Sequence, residues 1–83
     1  MVFEPKKRAF WQRVFEQLRL IYRAPPIMSE VTEVIEIKED TRFFPEILIR
    51  GVFRLVDGRQ ITVDANYQSG EDEIRQARYT CVD

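Results

Sequence analysis

Arg50, Arg54, Asp64, Arg75 and Arg78 are the residues of this 83-residue chain best suited to hold a ligand. Guanidinium forks match phosphate and carboxylate oxygens two at a time. The spacing of these residues places Arg50, Arg54 and Asp64 on one face of a β-sheet, with Gln60, Thr62, Asn66, Gln76 and Arg78 beside them. Such a face can bind RNA or protein. It can equally be a solvated sheet surface, with Arg50–Asp64 as a weak cross-strand ion pair. No aromatic residue falls on it, so base stacking of the RRM kind has no support.

A second basic set lies near the N-terminus. Arg8, Gln12, Arg19 and Arg23 follow one another at i, i+4, i+11 and i+15 along a helical stretch. The stripe can meet phosphates or an acidic partner, or form the solvated flank of an amphipathic helix. Nucleophilic and acid–base chemistry is poorly supplied. The chain has no His and one Cys, and Ser29 and Ser69 have no triad partners. Glu71-Asp72-Glu73 lacks the spacing of an EF-hand loop, and no transition-metal set is present, so neither a metal nor a cofactor is expected.

Composition agrees with one small globular domain, with 45% hydrophobic and 33% charged residues. The net charge of −1 conceals an asymmetry. Residues 1–24 carry six bases and two acids, and the rest carries seven bases and twelve acids. There is no apolar run long enough for a membrane span and no signal-like segment. With its single Cys81, the chain fits a reducing cytoplasm.

The elements that must position these residues follow from periodicity. Residues 5–23 read as a helix, with Pro5 in the first turn and Glu4 beside the N-terminal dipole. Phe10, Trp11, Val14, Phe15, Leu18, Ile21 and Tyr22 fill one arc of it. Ala24-Pro25-Pro26 ends it, because Pro disfavours helical geometry in the preceding residue. Residues 31–38, 47–55, 59–67 and 74–82 read as strands. Short connections favour an α+β fold, an N-terminal amphipathic helix packed on a four-stranded antiparallel meander sheet.

The register of "FRLVDGRQITV" decides which residues share a face. A two-residue Asp57-Gly58 turn would mix apolar and polar residues on both faces. A three-residue loop, Val56-Asp57-Gly58, pairs Leu55 with Arg59, Phe53 with Ile61, Gly51 with Val63 and Arg50 with Asp64. It places Gly58 at the left-handed position that this loop requires. Burial selects the second register. The apolar face then meets the helix, joined by Ala77, Tyr79 and Cys81. Gly51 offers bare backbone on which Trp11 or Phe15 can pack.

With the hairpin in view, residues 31–81 resemble the TumE-like small toxins of toxin–antitoxin pairs. Leu55, Asp57 and Gly58 match the family's Leu-x-Asp-Gly-type turn, and Arg78 and Tyr79 match the start of its last motif. The chain departs where the family often carries an aromatic residue and His: Cys81 and Val82 stand there. The resemblance implies a cytoplasmic, toxin-like protein encoded beside an antitoxin, and, if it has any activity, one like a ribonuclease. The residues themselves support a second class, a non-enzymatic inhibitor or accessory subunit that binds through its sheet edge or Arg face. Either class expects a protein partner, either a cognate antitoxin-like protein or a second copy. The contact would run through the edge strand 74–82, oriented by Arg75 and Arg78. Neither class expects a membrane.

Overall fold

A computed structural model describes residues 5–82, with side chains from Lys7 onward. Glu4, expected at the head of the helix, lies outside the described residues. The order is α1 (Pro5–Ile21), a single 3-10 turn (Met28–Glu30), β1 (Val31–Asp40), β2 (Glu46–Leu55), β3 (Gln60–Gln68) and β4 (Ile74–Val82). The strands form one antiparallel sheet in the order β1-β2-β3-β4, and α1 packs across it, closest to β4. This is the α+β meander expected from the sequence. No described helix is long and apolar enough to cross a membrane.

The helix stops two residues short of the expected boundary, with Tyr22 N–H still bonded to the Leu18 carbonyl at 2.9 Å. Its buried line is Trp11, Val14, Phe15 and Leu18, at the i, i+3, i+4, i+7 spacing of a core-facing stripe. Ile21, expected in the apolar arc, is instead 54% exposed. At about 100° per residue it sits at the edge of the stripe rather than its centre.

The β2–β3 hairpin takes the three-residue loop. Gly58 N–H donates to the Leu55 carbonyl at 2.9 Å, and Leu55 N–H to the Arg59 carbonyl at 2.8 Å. Gly58 has φ of 91°, the left-handed residue of this loop type. Phe53 faces Ile61, Gly51 faces Val63 and Ile49 faces Ala65 on the inner side of the sheet. Arg54 faces Gln60, Val52 faces Thr62 and Arg50 faces Asp64 on the outer side. Phe53, Ile61 and Val63 are fully buried beneath the helix.

Bulges adjust the two outer strands. In β1 the register shifts twice, between Val31 and Glu33 and between Val34 and Glu36. Each extra residue lets an apolar side chain three positions on return to the inner side. Val31, Val34 and Ile37 thus stand opposite Leu55, Phe53 and Gly51. In β4, Asn66 faces Gln76 while Tyr67 faces Ile74, so Arg75 is the extra residue. The bulge explains why Ile74 and Ala77 are both buried although three residues apart. Ala77 and Tyr79 join the inner side as expected. Cys81 stands opposite Ile61 but, like Ile21, is exposed against expectation, because it lies at the margin that the helix leaves uncovered.

Candidate binding face

Antiparallel pairing lines up one residue from each strand across the outer face. Lys38 of β1 stands beside Arg50 of β2, Arg50 beside Asp64 of β3, and Asp64 beside Arg78 of β4. One carboxylate therefore sits between two guanidiniums. Arg50 Nε donates to Asp64 Oδ1 at 2.7 Å, and Arg78 Nε stands 3.8 Å from Oδ2. The Asp64 carboxylate holds the Arg50 guanidinium above its already high ordinary pKa, first by this hydrogen bond and then by charge. Both arginine side chains are more than half exposed. The neighbouring row toward one end is Glu36, Val52, Thr62 and Thr80. The row toward the other end is Asp40, Leu48, Asn66 and Gln76.

At this second end a cleft of about 930 Å³ opens, lined by Lys38, Arg50, Asp64 and Arg78 of the outer face together with Ile49 and Ala77 of the inner side and Ile21 of α1. Arg42 from the 41–45 turn and Arg75 from the β4 bulge stand at its rim. Asp40 grips Arg42 through both oxygens, at 3.0 Å to Nε and 2.7 Å to Nη2. That hydrogen bonding holds the Asp40 carboxyl below its ordinary value. Asn66, on the floor, donates to Glu46 Oε1 at 2.6 Å, while its buried Oδ1 has no partner among the described residues.

The residues singled out in the sequence fall into three places. Arg50, Asp64, Arg75 and Arg78 are brought together at the cleft. Arg54 shares the outer face but stands two rows away, paired with Glu33 at 3.1 Å. Tyr79 points to the opposite side of the sheet, where its ring meets Tyr22 at 4.8 Å between centroids. Arg78 and Tyr79, adjacent in the motif, therefore serve different faces. Arg8 and Arg19 of α1, and Arg23 just beyond its end, are exposed, with no ion pair among the described residues. Lys38 and Arg42 belong to the cleft and were not among the binding residues read from the sequence. Their spacing carries no signal for this, because Lys38 reaches Arg50 only through the β1–β2 register and Arg42 sits in a turn.

The described residues contain no cluster of His, Cys, Asp and Glu able to hold a metal ion. Compared with protein families, curated proteins and solved structures, the chain matches none.

Proposed function

We propose that this chain is a small protein-interaction module that works in a complex, docking a partner strand along β4. Its specific form is the toxin-like component of a toxin–antitoxin pair. The observation that carries the docking is the contrast between the two edges of the sheet. Two bulges interrupt β1, and bulged edges resist added strands. β4 runs in regular register from Gln76 to Val82, with Arg78 its only charge in that run. The 41–45 turn is tied to the β3–β4 turn, where Ser69 N–H donates to the Pro45 carbonyl at 2.8 Å. A regular, weakly charged edge suits β-augmentation, in which backbone hydrogen bonds supply affinity.

The toxin form rests on the Leu55-Asp57-Gly58 turn and the Arg78-Tyr79 pair. The alternative is a non-enzymatic inhibitor or accessory subunit that uses the same edge. Growth arrest on expression, relieved by a co-expressed partner, supports the toxin form; unimpaired growth leaves the accessory form. Docking itself is tested by prolines at Thr80 and at Cys81. Adjacent strand amides point in opposite directions, so one of the two variants keeps the β3 ladder intact and removes an outward donor. That variant is expected to fold and to lose the complex in pull-down and sedimentation measurements. A folded variant of this kind that keeps full association would overturn the docking.

A further inference from the structure

We propose that this cleft is a binding site for a phosphate ester, held chiefly by Arg50 and Arg78 with Lys38, Arg42 and Arg75 around it. From residue 25 onward the chain holds seven bases and twelve acids. Five of those seven bases line this one cleft, against three of the twelve acids, Glu39, Asp40 and Asp64. Lys38 is paired there with Glu36 at 3.4 Å and Arg75 with Glu71 at 3.3 Å, so the uncompensated positive charge concentrates at Arg50 and Arg78, which share the single Asp64 carboxylate.

The cations are also held in place. Asp64 engages Arg50 through Nε alone, and Asp40 fixes Arg42. A guanidinium anchored by one edge presents its other nitrogens as a ready fork. Arg50 and Arg78 flank the same carboxylate, with their Nε atoms 2.7 and 3.8 Å from its two oxygens, so two guanidiniums stand within reach of one ligand. Prior ordering of long side chains lowers the entropy lost on binding. Phosphate oxygens are the acceptors that such paired forks match best. Thr62 and Thr80 on one side, and Asn66 and Gln76 on the other, supply neutral hydrogen-bonding groups for the rest of the ligand. The volume is that of a small-molecule site. The floor beside the cations is aliphatic at Leu48, with no aromatic ring on these rows, so recognition is by phosphate and hydrogen bond rather than by stacking.

Asp64 gives the proposal its sharpest test. It orders the two arginines and at the same time opposes an incoming anion. Asp64→Asn keeps an acceptor for Arg50 and removes the charge, so it should tighten binding by about two- to fivefold. The probes are inorganic phosphate, uridine monophosphate and a fluorescent eight-nucleotide oligouridylate, followed by calorimetry and anisotropy at low salt. Arg50→Gln or Arg78→Gln should weaken binding by about tenfold each. Arg8→Gln and Arg13→Gln, on the first turns of α1 and away from Ile21, should leave it unchanged. Comparable binding of phosphate and the mononucleotide would assign the ester to a small molecule. Binding of the oligouridylate alone would assign it to RNA. The proposal falls if none of the three binds, if the helix arginines carry the binding, or if Asp64→Asn weakens it. The β4 proline variants leave Arg50 and Asp64 in place, so loss of strand docking and loss of this site are separately visible.

Discussion

The indole of Trp11 rests on the bare backbone of Gly51. A Cβ at Gly51 would stand 2.7 Å from Trp11 Cη2 and 2.6 Å from the Phe53 ring. The helix can therefore come down onto β2 only where the strand lacks a side chain. Gly51→Ala is expected to destabilise the protein by about 1–3 kcal/mol, the range for overpacking a dense core. Urea denaturation measures the loss. Native Trp11, 1% exposed, should be poorly reached by a soluble quencher, and the variant should be quenched more readily.

Phe53 is the hub of the same cluster, with ring centroids 5.0 Å from Trp11 and 5.6 Å from Phe15. Phe53→Ala should cost about 3–5 kcal/mol, as for large-to-small changes at buried rings. Against an overall stability of only ~5–15 kcal/mol for a typical domain, that is a large share. Arg54→Ala, one residue on and facing outward, should cost under ~1 kcal/mol. Equal losses at the two positions would contradict the segregation of faces.

The hairpin loop predicts an acid response. Asp57 Oδ1 accepts from Arg59 N–H at 3.0 Å, and Asp57 Oδ2 from Arg59 Nε at 2.6 Å. The backbone bond first, and the guanidinium after it, hold the Asp57 carboxyl below its ordinary value of 3.8. A depressed folded value means that the contribution is fully present above the ordinary carboxylate pKa. It is lost as pH falls through the folded value. Carboxyl NMR titration should place the Asp57 midpoint below 3.8. Gly58→Ala, at φ of 91°, should destabilise the same loop by about 1–2 kcal/mol.

At the other end of the pH scale, Tyr67 is the group to follow. Its hydroxyl donates to Glu39 Oε1 at 3.2 Å, and Phe10 packs on its ring. Burial first, and the Glu39 carboxylate second, raise its pKa above the ordinary 10.0. The folded state favours the neutral phenol, so this contribution is whole below the ordinary tyrosine value and is lost as pH rises through the folded one. Glu39→Gln should bring the Tyr67 transition back toward 10.0 in ring-proton NMR.

Most of the architecture was legible in the chain. The helix arc, the Pro-Pro stop and the Asp-Gly loop each act through local chemistry: side-chain period, a missing amide hydrogen and a left-handed glycine. The β2–β3 register followed because a slip by one residue would bury Arg54 and expose Phe53. The bulges were not legible. Val31, Val34 and Ile37 recur at an interval that neither regular alternation nor a helix explains alone, and only a fixed neighbour in β2 shows which residues are extra.

For the candidate site the division is similar. The sequence by itself determined that Arg50 and Asp64 share a face, because hairpin pairing is a matter of counting from the turn. It also determined that no His-based chemistry is available. Only the tertiary structure decided that Lys38 and Arg78 fall in that same row, and that Arg42 and Arg75 close around it. Those placements depend on strand order, on the Arg75 bulge and on the path of a turn. Each is set by packing between residues distant in the chain, which spacing along the chain does not encode.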